Sequence, residues 1–501
     1  MNKKKGLIIA IAVAVVLVAV LLILIFVPKG GESDAKKSTI DEGIAMAVST
    51  DKNGVHQAEI KTDKDGKIAN NSYGTLMQYY PANLKGIHVE NKKGSFDISA
   101  TTPKGESTVY TLKGFEGYDL KSDSVDLIAN SAASLSFTKV ATLDKSKGSE
   151  YGFDKPRSTV TVTYEDKTKA IITVGSDAPQ AAGTYIKFGT GDTVYVISTD
   201  LAAVFDYGIT DLMSLEINKA PSNTDNGQAS SIKLAGTAFD KAIELVPNTN
   251  ENYSASYMLT APVSRIANES ESSKIEGAIR GLYADSVKMV NPSASQLSEL
   301  GLSNPYARLT AVYPDTTVEL LAAKPDGDGN VSLMVGGGKI VYTLSADKAA
   351  WTRTSYGKLC SEYVLYPKLT ALSGVTVKAD GKTYDFALNT KEKTTTDDSG
   401  EETTTTETSV KYKNEEIQIG DFSTFYDAVS LIALADADTG SAGGKQVLSV
   451  TYQFADGSSD SVEFLDAGGD KYAAKLNGSV AGHSHKVEVT AAVKAVAELT
   501  K

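Results

Sequence analysis

Short stretches in which hydrophobic and polar residues alternate recur through most of the chain. Residues 158–164 (STVTVTY) and 169–174 (KAIITV) are separated by four polar residues, and a glycine-containing turn separates 183–188 from 192–198. Period-two runs bounded by such turns are typical of β-hairpins. The pattern therefore predicts four consecutive antiparallel strands.

A helical period precedes these strands. After Ser122 and Asp123, apolar residues follow at spacings of three and four, at positions 125, 128, 132 and 135, which places them on one helix face. A second, short helix is expected after the strands, capped by Ser198 or Thr199 and ended by Gly208. The unit reads as a hairpin, a helix, four antiparallel strands and a short helix, so the predicted fold class is α+β.

This unit is repeated along the chain. YGFDKPRSTVTVTY at 151–164 matches LGLSNPYARLTAVY at 300–313, and further upstream Tyr110 matches Tyr257 at an offset of 147. An offset that stays nearly constant over such a distance indicates tandem modules. We predict module 1 at 84–217, module 2 at 230–370 and a divergent module 3 at 372–501, with 28–83 as a stalk and lead-in.

Two residue pairs in the repeated segments 151–164 and 300–313 are expected to be structural. Pro156 and Pro305 stand just before a predicted strand, where a missing N–H costs least. Gly152 and Gly301 offer the turn into that strand.

A polar segment interrupts the third module. Residues 391–409 contain Thr, Asp, Glu and Lys with no large apolar residue. Such a composition has too little apolar surface to fold, and we expect a disordered insert.

The N-terminus has the pattern of a membrane anchor. Residues 1–5 carry three lysines and are followed by 22 uncharged residues, 6–27, a helix of about 33 Å that can span the hydrocarbon core. The run ends in bulky residues, without the small-residue cleavage site of a signal peptide. We expect an uncleaved signal-anchor with its N-terminus in the cytoplasm and the bulk of the chain outside; a long cleaved signal peptide is the alternative.

Composition narrows the function classes. The net charge of −12 argues against sequence-independent binding of nucleic acid. Cys360 is the single cysteine, so no intrachain disulfide can form, and a buried thiol is the expected role, ahead of a reactive one.

No motif indicates catalysis or a resident cofactor. His483 and His485 are the only close histidine pair, His56 and His88 lie far away in sequence, and a turn is favoured over a zinc site. The segment 325–330 (PDGDGN) lacks the glycine at position six of a calcium loop. The segment that follows it at 336–340 (GGGKI) lacks the phosphate-loop pattern, and both are expected to be turns.

The tyrosines leave a second possibility open. Tyr79, Tyr80, Tyr185, Tyr195 and Tyr342 are expected to pack on sheet faces, although exposed tyrosines could stack against sugars. An unrecognised hydrolase site is the least favoured alternative. We therefore predict no enzyme activity, no cofactor, and no catalytic or metal-ligating residues.

The run YGFDKP–STVTVTYEDKT–VG–GTYIKF–DTVYVIS resembles the bacterial DUF4340 family of uncharacterised function, well over about 84–370 and loosely beyond. The second copy departs from it at LAAKPDGDGNVSLMVGG. The N-terminal anchor also belongs to the layout of that family. Its members often occur beside genes for ABC transporters of the gliding type, which implies an accessory role.

The combined interpretation is a single-pass protein of the bacterial cell membrane with an extracytoplasmic, non-enzymatic role. Its expected partners are the lipid bilayer, through residues 6–27, and the membrane subunits of an ABC transporter or envelope complex. A cell-envelope protein that binds glycans or peptides is the alternative.

Overall fold

The computed structural model describes residues 46–68, 73–143, 149–222, 227–396, 402–440, 442–466 and 468–501. The predicted anchor at 6–27 lies outside these residues. Within the part that is described, no helix is long and apolar enough to cross a membrane.

Most of the described chain consists of strands. In chain order they are β1 Met46–Thr50, β2 His56–Ile60, β3 Gly74–Gln78, β4 Leu84–Asn91, β5 Gly94–Thr101, β6 Val109–Leu112, β7 Ser134–Phe137, β8 Lys139–Thr142, β9 Ser158–Tyr164, β10 Lys169–Asp177, β11 Thr184–Phe188, β12 Val194–Ile197, β13 Ser231–Ala235, β14 Ile243–Pro247, β15 Tyr257–Ala261, β16 Arg265–Ile266, β17 Ser286–Val290, β18 Ala307–Val312, β19 Thr317–Ala322, β20 Asn330–Val335, β21 Ile340–Ser345, β22 Leu372–Ala379, β23 Lys382–Thr396, β24 Glu402–Tyr412, β25 Glu415–Ile417, β26 Gln446–Phe454, β27 Ser459–Asp466, β28 Lys471–Leu476 and β29 Ser479–His485.

Helices connect and cover the strands. The α-helices are α1 Ser122–Ala133, α2 Thr199–Ala203, α3 Ile209–Leu212, α4 Glu269–Glu276, α5 Ala294–Glu299, α6 Tyr356–Leu359, α7 Ile419–Ser430 and α8 Lys486–Leu499.

Three large antiparallel sheets share a common arrangement of their central strands. The first runs β6-β5-β4-β9-β10-β11-β12-β8, the second β16-β15-β14-β13-β18-β19-β20-β21-β17, and the third β25-β24-β23-β22-β26-β27-β28-β29. In each, a meander of three strands (first sheet) or four strands (second and third sheets) is joined through its first strand to a four-strand meander that comes later in the chain. The fold is mostly β, and the predicted antiparallel sheets are confirmed in this coarser form.

Alternation along the strands decides which face is buried. In β9 every second residue, from Ser158 to Tyr164, is buried, and the threonines between them are half-buried. The predicted hairpins, 158–164 with 169–174 and 183–188 with 192–198, are confirmed by their registers, and the strands of the second are Thr184–Phe188 and Val194–Ile197. Ser198 caps α2 by accepting a hydrogen bond from the Leu201 amide, as expected.

The first and second sheets share a core. One continuous cluster of buried side chains extends from Ile60 to Cys360 and includes Trp351, the single tryptophan. The chain between the sheets takes part in it, because the Ile217 amide donates to the Leu282 carbonyl and the Ala284 amide donates to the Leu215 carbonyl, both at 2.8 Å. These two sheets therefore form one packed body.

The third sheet has its own core, which side chains of the second module enter. Tyr253 and Ile266 belong to this cluster together with Val364 and Leu365. The Tyr253 hydroxyl also donates to the Asp460 carboxylate. The contact between the second and third modules is thus both apolar and hydrogen-bonded.

The repeated segments 151–164 and 300–313 each begin with a tight turn. Gly152 and Gly301 have φ values of 81° and 74°, so both require the left-handed region that glycine adopts easily. In the second module Leu302 packs with Met334 and Val341 in a separate small cluster. The expectation that these glycines are structural is confirmed.

The predicted disordered insert at 391–409 is wrong where the chain is described. Strands β23 and β24 remain paired from Phe386↔Tyr412 to Thr396↔Glu402. Threonine, although polar, is β-branched and favours strands, and the Thr390 and Thr408 hydroxyls lie 2.9 Å apart across the ladder. The strand register that begins at the pair Phe386↔Tyr412 therefore continues through the polar segment.

The predicted stalk and lead-in at 28–83 also needs correction. From Met46 onward this segment folds against the first sheet: β1 pairs with β2, and β3 pairs with β7. Leu76 and Met77 are buried in the common core. The first module therefore begins well before residue 84, because the lead-in supplies strands and apolar side chains to it.

Candidate functional site

A cleft of about 380 Å³ lies where the first and second sheets meet, and we call it the junction cleft. Three chain segments border it: the loop after β6, the linker between the sheets, and the turn between β20 and β21. The side chains with ionisable or aromatic groups that line it are Glu116, Tyr118, Asp119, Glu216, Lys339 and Tyr342.

The loop after β6 forms one wall. Gly114 and Gly117 have positive φ, which turns the chain sharply between them. The Tyr118 hydroxyl then donates to the Asn291 side-chain oxygen of the second module, and the Ser214 amide donates to the Asp119 carbonyl at 2.8 Å. This loop is therefore held to both the linker and the second sheet.

The opposite wall is the glycine-rich turn at 336–340. The Gly336 amide donates to the Glu319 carbonyl, and the Asn291 amide donates to the Lys339 carbonyl at 2.7 Å. A Cβ on Gly336 would lie 2.0 Å from a Glu319 carboxylate oxygen, so a larger residue does not fit without displacing that side chain. The prediction of a turn here is confirmed, and the turn also forms part of a cavity.

Negative charge dominates the junction cleft. It carries three carboxylates against one ammonium, and the Lys339 Nζ lies 6.0 Å from the centroid of the Tyr118 ring. Burial raises the pKa of Tyr342, and the carboxylates of Asp119 and Glu216 raise it further because they disfavour a phenolate. Tyr342 therefore stays a neutral phenol whose hydroxyl can donate or accept.

A second cleft of about 520 Å³ lies between the second and third modules. Phe239, Pro262 and Tyr356 provide its apolar surface, and Asp240 and Asp438 lie at its border. Because both clefts are at junctions between successive modules, the cavities arise from the way the sheets are joined.

Cys360 lies beside a buried arginine near this second cleft. The thiol is 4% exposed, and burial raises its pKa despite the opposing charge of Arg265. The expectation of a buried thiol is confirmed, and a neutral thiol is a poor nucleophile.

The histidines are distributed over separate places. The His483 Nδ1–H donates to the Asp436 carboxylate at 2.7 Å, whereas His485 is exposed at the start of α8. His88 pairs with Asp97 on an outer face of the first sheet. Among the described residues, no group of three or more His, Cys, Asp or Glu is arranged to hold a metal ion.

His56 is part of a buried aromatic group. Its Nε2 lies 3.0 Å from both the Tyr79 hydroxyl and the Thr168 hydroxyl, and the Tyr79 ring stacks on Tyr164 at 4.0 Å. Burial lowers the pKa of His56, and Asp166 opposes this shift. The group ties the lead-in strands to the first sheet.

The acidic segment 325–330 is a turn, as predicted. The Asp326 carboxylate accepts from the amides of Asp328 and Asn330 at 3.0 and 2.7 Å, and Gly329 has a φ of 78°. The carboxylate thus closes its own turn.

The five tyrosines do not form a common surface. Tyr195 and Tyr342 are buried, Tyr79 and Tyr185 are half-buried, and Tyr80 is 69% exposed. Sequence reasoning missed the acidic residues of the junction cleft, because they come from segments about a hundred positions apart and share no motif. The repeat offered the only hint, since it predicted a junction between modules.

Comparison with known proteins gives a family match for part of the chain. The model described as "Domain of unknown function (DUF4340)" matches residues 111–258. Thr111 lies in β6 and Met258 in the equivalent strand β15, so the match runs from one sheet, across the junction, to the same point in the next. No curated protein and no solved structure matches the chain.

Proposed function

Since the chain contains a DUF4340 domain, we propose that it acts as a membrane-anchored, extracytoplasmic accessory protein of an ABC-type transport or envelope complex. In this proposal the protein works by binding and positioning partners, without catalysis. Residues 6–27 hold it in the bilayer, and Lys3, Lys4 and Lys5 keep the N-terminus in the cytoplasm.

The observation that carries the proposal is the joining of similar sheets into one body. The shared core from Ile60 to Cys360 and the contacts of Tyr253 with the third module resist independent motion of the sheets. A packed series of modules on a single anchor is suited to presenting a fixed surface to a neighbouring membrane protein. Flexibly linked domains would present no such fixed surface.

A second candidate function is supported by the junction cleft. A concave site of a few hundred cubic ångströms with a few polar groups is typical of ligand binding. A cell-envelope protein that binds peptides or glycans would use such a site, and in that case no transporter is required.

Purification of the full chain from its own cells in a mild detergent tests the first candidate. We expect subunits of an ABC transporter to co-purify, and a variant with an unrelated membrane helix in place of 6–27 to retain them, because the modules make the contact. If no transporter subunit co-purifies in either preparation, even when the cells are cross-linked before purification, the accessory role is refuted. Binding of glycan or peptide without any transporter would favour the second candidate.

A further inference from the structure

We infer that the junction cleft is a binding site for an alkylammonium group, either of a free aliphatic amine or of a lysine side chain. The site goes beyond the accessory role, and its occupation does not depend on a transporter. We base this inference on three features of the cavity: its negative charge, its aromatic surface, and a tyrosine hydroxyl without a protein partner.

Charge is the first element of the inference. Glu116, Asp119 and Glu216 face the cavity from the loop and the linker, and Lys339 is the single cationic side chain that lines it. None of the three carboxylates forms an ion pair with a described residue. A cation that enters the cleft would therefore meet negative charge that no protein cation within ion-pair distance compensates, and salt should screen the attraction because Glu116 and Asp119 are exposed.

Tyr342 is the second and independent element. Its side chain is 6% exposed and borders the cavity, yet its hydroxyl has no hydrogen-bond partner among the described residues. A hydroxyl that borders the cavity without a protein partner is free to accept a hydrogen bond from an ammonium N–H supplied by a ligand. The equivalent Tyr195 of the first sheet differs, because its hydroxyl donates to the Ala58 carbonyl at 3.4 Å.

Aromatic surface is the third element. The Lys339 ammonium already lies 6.0 Å from the Tyr118 ring centroid, at the outer limit of a cation–π contact. The surface of the Tyr118 ring is thus compatible with an ammonium group, and the Lys339 ammonium does not lie in close contact with it. A ligand ammonium would compete with Lys339 for this ring.

The volume limits the ligand. A cavity of about 380 Å³ admits a short alkyl chain with a terminal ammonium and lies at the small end of ligand sites. Residues of both modules contact the same space, so an occupant would bridge the loop after β6 and the 336–340 turn.

Calorimetric titration of the full chain in a mild non-ionic detergent at low ionic strength tests this site. The probes are 1,5-diaminopentane, a capped Gly-Gly-Lys-Gly-Gly peptide, and 1,5-pentanediol as a neutral control. We expect the diamine or the peptide to bind and the diol not to bind, with affinity falling as salt is added. Binding of the diamine alone would identify free amines as the ligand, and preferential binding of the peptide would identify lysine side chains.

Variants separate a real site from general attraction to an acidic protein. Asp119→Asn with Glu216→Gln should weaken binding about tenfold or more, and Tyr342→Phe should weaken it several-fold. Lys339→Ala should strengthen binding, since it removes the competing cation. Tyr195→Phe is the matched control and should leave the affinity unchanged.

Two results would overturn the inference. One is the absence of binding for both ammonium probes; the other is binding that the Asp119 and Glu216 changes do not affect. A melting temperature for each variant guards against unfolding as the cause, and if Tyr342→Phe is unstable, the Lys339→Ala variant still decides the question.

Discussion

The guanidinium of Arg265 in β16 donates a hydrogen bond of 2.9 Å to the carbonyl oxygen of Ala481 in β29, which joins the second module to the third. Arg265 is 1% exposed, its Nε has no partner, and no carboxylate among the described residues forms an ion pair with it. A buried charge held mainly by carbonyl groups is costly to desolvate. We therefore interpret the role of Arg265 as joining the second and third modules.

Arg265→Ala should therefore destabilise the protein by about 2–4 kcal/mol, because it leaves a cavity and the Ala481 carbonyl without a donor. Arg265→Met should destabilise the protein less than Arg265→Ala does, with a difference of roughly 1 kcal/mol or more, because methionine fills the space without a buried charge. Urea unfolding followed by circular dichroism measures both. Equal losses for the two variants would contradict this account.

Gly175 makes a close approach that no larger residue permits. A Cβ there would lie 2.2 Å from the Tyr151 carbonyl oxygen. We expect Gly175→Ala to lower stability by about 1–3 kcal/mol through overpacking. Gly86→Ala is the matched control, since its Cβ would meet its nearest atom at 3.5 Å; similar melting temperatures for the two variants would show that the contact is not restrictive.

Asp436 should make stability depend on acid pH. Burial opposes its ionisation, but hydrogen bonds from His483 and Lys471 outweigh this and lower the pKa of Asp436 to about 2. A lowered folded-state pKa stabilises the protein above the ordinary value of 3.8, and this contribution is lost as the pH falls towards 2. Because the side chain is 36% exposed, the effect should be below about 1 kcal/mol.

The measurement is the melting temperature of wild type and Asp436→Asn between pH 5 and pH 2. The difference between the two should be largest at pH 5 and vanish near pH 2. A difference that grows with acidity would contradict the sign. Asp347→Asn is a suitable control, since the Asp347 side chain is 83% exposed and its ion pair in the described part of the chain is with the nearby Arg353.

The second module should need the linker for folding. A fragment covering 209–371 retains the backbone pairing of Leu215 and Ile217 with residues 282–284, whereas 230–371 lacks it. We expect Trp351 fluorescence to report a buried tryptophan in the longer fragment only. Equal burial in both would show that the linker is dispensable.

The strands and their hairpins could be predicted because alternation along 158–174 encodes a half-buried antiparallel sheet directly. The repeat likewise predicted where similar elements recur. Local pattern was sufficient for these features, since hairpin partners are neighbours in sequence.

The junction cleft could not be predicted in this way. Asp119 and Lys339 reach it from segments that approach one another only after the sheets have packed. The strands at 391–396 and 402–409 were missed for a different reason: composition suggested disorder, but pairing begun at Phe386↔Tyr412 continues along threonines with strand preference. Tertiary context outweighed composition there.

Topology is the central claim, because an accessory role outside the cell requires it. Lys391→Cys places a thiol at an exposed position of β23, while the native Cys360 is 4% exposed and serves as the internal control. A thiol reagent that cannot cross membranes is applied to intact cells. We expect labelling of the Lys391→Cys protein in the membrane fraction, with no labelling of wild type until it is denatured, and a chain that still begins at its original N-terminus. Labelling of Lys391→Cys only after the cells are broken would place the modules in the cytoplasm and contradict the account.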